Sequence, residues 1–128
     1  QIELHPYFPQ FEREDVHKQY GVQLEAWGPL AEAKNGIFEN KILVSIAGKY
    51  GKSVAQVILR WHLQRGVAAI PKSVHKERIE ENINIFDFTL SAEDMTAIAA
   101  LDTGAGLYGD TFNSPASAKM LRDIKIND

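Results

Sequence analysis

The chain of 128 residues is 45% hydrophobic and 24% charged, which is enough apolar material for one globular unit with a sizeable core. A net charge of −3 gives no reason to expect binding to nucleic acid or to an anionic membrane. There is no cysteine, the four histidines lack metal-ligand spacing, and no signal peptide or apolar run of ~18 residues is visible, so we expect a cytoplasmic protein without disulfides, a metal site or a membrane span.

The first part of the chain alternates between strand and helix patterns. Residues 1–4 alternate polar and apolar side chains and predict a strand, and residues 11–20 predict a short polar helix. Residues 22–27 predict a second strand, which Gly28 and Pro29 end. Because a strand pattern begins at the first residue, we expect the chain to be the later part of a longer protein.

Two consecutive helices are predicted next, after a loop. Asn40 is placed to cap a helix that runs to about Tyr50, and Gly51 ends it. Ser53 begins the following helix with Gln56 three residues later, which is the spacing of a capping box. Apolar residues recur on one face of both helices, so we expect both to pack against a core.

The alternation continues in the second half of the chain. Residues 67–71 form a short, fully apolar run, as expected for a parallel strand that is covered on both faces. Residues 76–83 predict a helix, and residues 85–88 are a candidate fourth strand. Ser91 is placed to cap a last helix, with two acidic residues in its first turn.

The composition changes at residue 103, where glycines become frequent. We therefore divide the chain into a folded unit of residues 1–102 and a tail of residues 103–128, which is a flexible segment or a covering loop. A weak helix pattern lies at residues 116–126.

The loop between the third strand and the helix after it has the residues of an anion pocket. Lys72 and Ser73 follow the strand directly, and Arg78 lies one turn inside the helix. A helix N-terminus offers unpaired N–H groups and the positive end of the helix dipole. Lys72 and Arg78 add full charges, and an arginine can bind a phosphate through two parallel hydrogen bonds. Taken alone, this run is more typical of a turn that carries solvated charges, and only the rest of the chain favours the anion pocket.

Strands that alternate with helices predict a parallel sheet with right-handed crossovers. Two architectures have this order, an open doubly wound sheet and part of a (β/α)8 barrel. No glycine-rich dinucleotide fingerprint follows any strand, which weighs against the open sheet. About four strands in 128 residues amount to half a barrel, and barrel enzymes often bind phosphate in the loops after their last strands.

Several spaced motifs resemble one family, the aldo-keto reductases. The run from Ile70 to Ser73, followed by Arg78 and then Glu81-Asn82, resembles the NADP-binding signature of that family. The segments of residues 1–7 and 26–30 resemble two of its strand ends, in the same order along the chain. The resemblance extends to about residue 102 and is closest to the microbial diketogluconate-reductase branch. It implies the C-terminal half of a (β/α)8 barrel and NADP(H) as the cofactor.

The resemblance assigns four residues to the nicotinamide and the pyrophosphate. Gln1 corresponds to a side chain that hydrogen-bonds the nicotinamide carboxamide, and Trp27 to the aromatic ring that stacks on the nicotinamide. Gly28 stands where many members have serine, so the backbone can approach the pyrophosphate but a hydroxyl contact is lost. Leu30 and the loop after it resemble the backbone clamp over the pyrophosphate.

Five further residues correspond to the adenosine end of the cofactor. Lys72, Ser73 and Arg78 match the residues that hold the 2′-phosphate, which favours NADP(H) over NAD(H). Glu81 and Asn82 match residues that bind the edge of the adenine.

The activity implied is hydride transfer from NADPH to a small aldehyde or ketone, with a tyrosine as general acid. In this family the catalytic tyrosine, lysine, aspartate and histidine come from the first half of the barrel, and their sequence contexts do not occur here. The tyrosines at positions 7, 20, 50 and 108 do not match the catalytic one, and His5 matches a structural position. We therefore expect no catalytic residue in this chain and no activity from its 128 residues alone.

The partners implied are a small carbonyl substrate and the missing N-terminal half of the barrel. Half a barrel exposes two edge strands and an uncovered face, which self-association would also cover. Two other functions remain open, a non-catalytic NADP(H)-binding regulatory module and an inactive truncated fragment.

Overall fold

The computed structural model describes residues 1–107 and, beyond them, positions 119 and 122. Three short parallel strands form one sheet in the order β1-β2-β3, with bounds Ile2–Glu3, Glu25–Trp27 and Ala68–Ala69. Within residues 1–107, five α-helices flank the strands: α1 (Phe11–Gln19), α2 (Lys41–Tyr50), α3 (Val54–Gln64), α4 (Lys76–Ile83) and α5 (Ala92–Ala99). Two short 3₁₀ turns, Ala31–Ala33 and Ile37–Glu39, connect β2 to α2. The described elements follow the order that the sequence predicts, except that no strand lies between α4 and α5.

One face of the sheet packs against the core, whereas the other is covered only at β1, where Glu3 is 3% exposed. Leu4, Leu24, Ala26 and Val67 are buried and belong to the same core as the apolar faces of α2 and α3. The strand pleat turns Trp27 and its neighbours toward the opposite face. There Trp27 is half-buried, while Ala68 is exposed and Ile70 keeps 48% of its surface accessible. The expectation that residues 67–71 are covered on both faces is therefore wrong for the chain as described.

The helix ends follow the capping residues of the sequence. The Asn40 side chain accepts hydrogen bonds from the backbone N–H groups of Ile42 and Leu43, and α2 ends at Gly51 in the left-handed conformation. Ser53 and Gln56 form the predicted capping box at the start of α3. The bounds of α4 coincide with the predicted residues 76–83. These local signals were sufficient because capping involves groups only a few residues apart.

The predicted fourth strand is wrong, because residues 85–88 have no strand conformation. Side chains of α3 occupy backbone groups in this region. Arg60 Nη1 donates to Ile85 O at 3.2 Å, and Gln64 accepts from Leu90 N at 2.7 Å. Ile85 is buried, so the segment crosses α3 instead of pairing with β3. The described sheet thus has three strands, not about four.

The segment after α5 returns to the end of β1. Thr103 N donates to Tyr7 O at 2.9 Å, and Leu107 N donates to Glu3 Oε1 at 2.5 Å. The predicted helix at residues 116–126 falls outside the described residues except at Lys119 and Arg122, and so does most of the predicted tail. In the described part of the chain no single helix has the length and apolar composition to cross a membrane. Helices α2 and α3 pass those two criteria only as a pair, bent by 88°.

Candidate functional site

A cavity of about 640 Å³ lies where three segments meet: the loop after β2, the N-terminus of α3, and the loop that leads from β3 into α4. The carboxyl ends of parallel strands lie at the same edge of a sheet, which brings the loops after β2 and β3 together. Six of the nine residues predicted to bind the cofactor line this cavity: Leu30, Lys72, Ser73, Arg78, Glu81 and Asn82.

The cations of the cavity are available for an anion. Neither Lys72 nor Arg78 has a hydrogen bond or an ion pair to another side chain in the part of the chain that the structure describes. The backbone N–H of His75 donates to Ser73 Oγ at 3.1 Å, and this turn leads directly into α4. An unpaired ammonium and an unpaired guanidinium at the mouth of a cavity suit a phosphate. The Glu32 carboxylate, which also lines the cavity, is 2.8 Å from Lys34 Nζ.

The N-terminus of α3 forms a second wall that the sequence patterns did not assign to the site. Ser53, Val54 and Ala55 line the cavity opposite Arg78. The capping box marks this helix start in the sequence, but it does not show that the helix start faces the loop after β3. Only the tertiary arrangement places the positive end of the α3 dipole beside the two cations.

The loop after β2 is held in an uncommon backbone conformation. Ala31, Glu32 and Ala33 all have positive φ, between 49° and 57°, which side chains other than glycine rarely adopt. Ala31 N donates to Gly28 O at 2.8 Å and Ala33 N donates to Leu30 O at 3.0 Å. These bonds hold a tight turn whose residues line the cavity, and such conformations are often found at binding sites.

Three predicted residues lie outside the cavity lining. The side chain of Gln1 is exposed, and its Nε2 donates to Glu25 Oε1 at 2.6 Å across the neighbouring strand. Trp27 lies on the open face of the sheet, half-buried. Gly28 turns the chain after β2 with a φ of 61°, a value that glycine adopts without steric cost. The structure therefore brings the adenosine-end residues and Leu30 together, and leaves the predicted nicotinamide residues on the adjacent open face.

His5 lies near that open face but is enclosed. Its Nε2 is 3.0 Å from Glu3 Oε1, and both side chains are almost fully buried. Burial lowers the pKa of His5, and the neighbouring Glu3 carboxylate opposes that shift only in part. The histidine thus fixes the turn after β1, as the structural position in the resemblance implies.

A lysine, a tyrosine and an aspartate also meet on the opposite side of the core, between α2 and α5. Asp94 Oδ2 accepts hydrogen bonds from Lys49 Nζ at 2.8 Å, Tyr50 OH at 2.5 Å and Ser91 N at 3.1 Å. Burial alone would raise the pKa of the Asp94 carboxyl, but these hydrogen bonds together hold it below its usual range. The Tyr50 hydroxyl donates its hydrogen bond to the Asp94 carboxylate. The set therefore stabilises the start of α5 and is not arranged to donate a proton to a substrate.

A family sequence model and several individual proteins match this chain. The sequence model of the Aldo/keto reductase family matches residues 1–103. The chain is 54% identical over 102 residues to a glyoxal reductase of Bacillus subtilis, covering 80% of this chain and 36% of that protein. It is 43% identical over 110 residues to the methylglyoxal reductase DkgA of Escherichia coli, covering 86% of this chain and 40% of that protein.

A solved structure shows the same likeness in three dimensions. The crystal structure of a mutant of Gox0644 in complex with NADPH superposes with a TM-score of 0.79 at 36% identity, covering 98% of this chain and 42% of that one. The chain therefore spans about two fifths of the length of the proteins it matches. The fold is part of an aldo-keto reductase barrel. The match to DkgA confirms the predicted resemblance to the microbial diketogluconate-reductase branch. The family match, the relatives and the superposition agree that this chain belongs to the aldo-keto reductase family.

Proposed function

We propose that this chain supplies the NADP(H)-binding part of a cytoplasmic reductase that converts small aldehydes or ketones to alcohols by hydride transfer. The observation that carries the proposal is the shared cavity. Six residues between positions 30 and 82, predicted from two separate sequence motifs, line one space, and two of the six are unpaired cations. The NADPH complex of the superposed structure supports the same cofactor for this chain.

The residues present fit the adenosine end of NADP(H). Arg78 and Lys72 would hold the 2′-phosphate, with Ser73 as a further hydrogen-bonding group. Glu81 and Asn82, one turn further along α4, would meet the edge of the adenine. Leu30 and the turn after it would cover the pyrophosphate. The cofactor itself supplies the hydride, and the role of this chain is to bind and orient it.

The open face of the sheet suits the remainder of a barrel. A complete barrel has eight strands, and the described sheet has three, so a complement of five strands would close it. The described parts of two copies would together supply six strands, which argues against closure of an eight-stranded barrel by self-association. We propose that the complement pairs along β1 and β3 and supplies the acid–base residues. The 128 residues alone are then expected to be inactive.

A second candidate is a non-catalytic NADP(H)-binding module. The Asp94–Tyr50–Lys49 set is consistent with it. Among the described residues, Tyr50 has both a lysine and an aspartate beside it, but its hydroxyl donates to Asp94 at the start of α5. This candidate differs from the first in one respect. It predicts nucleotide binding without turnover even when the five-stranded complement is added.

The test is a fluorescence titration of the 128-residue chain with NADPH and with NADH, following the quenching of tryptophan emission, to which both Trp27 and the buried Trp61 contribute. We expect tighter binding of NADPH, and we expect Arg78→Ala to weaken NADPH binding about tenfold with little effect on NADH. Lys76→Ala is the matched control, since Lys76 is an exposed cation two residues away whose ammonium is 3.8 Å from Glu80. Equal binding of the two nucleotides, or equal losses in both variants, would show that the cavity does not hold the 2′-phosphate.

A turnover assay with methylglyoxal completes the test. We expect no oxidation of NADPH by the chain alone, and turnover once a five-stranded N-terminal part of a related reductase is present. Binding without turnover in that mixture would favour the regulatory module. Turnover by the chain alone would contradict the view that the acid–base residues lie elsewhere.

A further inference from the structure

Helix α4 carries three of the residues that line the cavity, yet little holds it in place. The structure describes the helix in full, and none of its residues is buried. The side chain of His75, which precedes its first turn, makes no capping hydrogen bond. Ile79 and Ile83 are more than half exposed. The position of Arg78, Glu81 and Asn82 therefore depends on the contacts that α4 makes with α3.

One buried amide connects the two helices. Gln56 is only 6% exposed, and its Nε2 donates to Glu81 O at 3.1 Å and to Asn84 O at 2.9 Å. Both carbonyls lie at the C-terminal end of α4, where Glu81 O also accepts from Asn84 N at 3.1 Å. At the same time Gln56 Oε1 accepts from Ser53 N at 3.0 Å. A single side chain thus ties the end of α4 to the start of α3.

The two connected helix ends are the two walls of the cavity. Ser53, Val54 and Ala55 line it from the start of α3, and Arg78, Glu81 and Asn82 line it from α4. Gln56 itself is not part of the lining. We propose that Gln56 is a positioning residue, which sets the distance between these walls and thereby the fit of a 2′-phosphorylated adenine nucleotide. This inference rests on the proposed nucleotide site.

The substitution Gln56→Glu separates the two roles of this side chain. A glutamate can still accept the Ser53 N–H, as in the common form of the capping box. It cannot donate to Glu81 O and Asn84 O, and it places a negative charge beside two carbonyl oxygens. The start of α3 should therefore remain intact while the connection to α4 is lost.

The matched control is Gln64→Glu, the same chemical change two turns later on α3. Gln64 also bridges two elements, accepting from Leu90 N at 2.7 Å and donating to Leu90 O at 3.1 Å. It does not line the cavity. A general effect of placing a carboxylate on α3 would appear in both variants.

Two measurements test whether Gln56 positions α4. Hydrogen exchange of the backbone amides should become about tenfold faster at residues 76–84 in Gln56→Glu and stay unchanged there in Gln64→Glu. The dissociation constant for NADPH should rise about tenfold in Gln56→Glu only, which corresponds to 1.4 kcal/mol. Exchange that rises equally along the whole chain, or equally in both variants, would overturn the proposal. If the unsubstituted chain binds no NADPH, the proposed function fails, but the exchange of α4 still decides whether Gln56 positions it.

Discussion

Two clusters in this chain place a lysine beside other polar side chains, and they differ in whether the charged side chains are already hydrogen-bonded. Around the cavity, Lys72 and Arg78 are exposed and have no side-chain partner in the described residues. Around Asp94, the lysine, the tyrosine and the backbone of Ser91 all bind one carboxylate. Charges whose hydrogen bonds are already made stabilise the fold, whereas unpaired charges beside a cavity can bind a ligand.

The comparison also shows why residue type alone misleads. A lysine, a tyrosine and an aspartate are three of the residue types in the catalytic set of this family, and here they connect α2 to the start of α5. The cavity has none of these three types among its lining residues except Lys72. Geometry therefore separates the two clusters, and the predictions below test that separation.

The largest effect is expected from Asp94→Ala. This change removes one half of the capping box at the start of α5 and leaves the Tyr50 hydroxyl and the Lys49 ammonium without their acceptor, so the free energy of unfolding should fall by about 3 kcal/mol. Urea denaturation measures it, with Asp15→Asn at an exposed position of α1 as the control. The ratio of NADPH to NADH affinity should not change. A large change in that ratio without a loss of stability would erase the distinction between the clusters.

The double substitution Lys72→Ala, Arg78→Ala is expected to have the opposite profile. NADPH affinity should fall about a hundredfold, because two charge-assisted contacts to phosphate are lost. The free energy of unfolding should stay within ~0.5 kcal/mol, since exposed residues without partners contribute little to stability. Titration and urea denaturation of the same sample give both values. A stability loss as large as that of Asp94→Ala would assign the cations to the fold.

A smaller effect concerns pH and the buried His62. One ring nitrogen is 2.8 Å from Ile58 O and the other is 3.0 Å from Leu4 O. Burial lowers the pKa of His62 to about 4, from 6.5 in an unperturbed residue. The unfolded chain therefore takes up a proton near pH 6.5 that the folded chain does not accept until about pH 4. Stability is highest above pH 6.5 and falls by on the order of 2 kcal/mol as the pH drops toward 4.

Urea denaturation at pH 7 and pH 4.5 tests this prediction. The variant His62→Gln should lose much of the pH dependence, whereas His75→Gln, at an exposed position, should keep it. His5, whose pKa burial also lowers, contributes a dependence of the same sign that remains in both variants. An unchanged pH dependence in His62→Gln would mean that His62 does not carry the effect.

The smallest effect is expected at the ion pair of Lys52 and Asp87, in which the lysine side chain is mostly covered and the carboxylate is exposed. Lys52 Nζ is 2.7 Å from Asp87 Oδ2, and the carboxylate is 57% exposed. Its pKa is lowered, chiefly by the hydrogen bond from Lys52. Because water and salt screen such pairs, Asp87→Asn should lower the free energy of unfolding only slightly, and by less at 1 M salt. A cost comparable to that of Asp94→Ala would show that exposure is not what separates strong from weak carboxylate contacts here.

Local signals in the sequence predicted most of the helices. Asn40, Ser53 and Gly51 mark helix ends because capping depends on neighbours within one turn. The strand predicted at residues 85–88 is wrong for the opposite reason. Their apolar pattern suits a strand, but the choice between pairing with β3 and crossing α3 depends on Arg60 and Gln64, more than 20 residues earlier.

The candidate site also has one part that sequence motifs predicted and another part that they did not. Motif order in the sequence identified Lys72, Ser73, Arg78, Glu81 and Asn82, which the structure brings to one cavity. It also pointed to Gln1 and Trp27, which lie on the open face outside that cavity. The start of α3 and the position of Gln56 could not be inferred from local patterns, because their importance lies in contacts with α4.

The amino-acid sequence by itself determined the helix boundaries, the parallel alternation, the family and the cations of the site, since each depends on residue type and spacing along the chain. Only the tertiary structure decided the number of strands, which face of the sheet stays open, and which lysine remains unpaired. Those outcomes depend on where distant backbone carbonyls and carboxylates come to lie, and a hydrogen bond between residues far apart in the chain has no local signature.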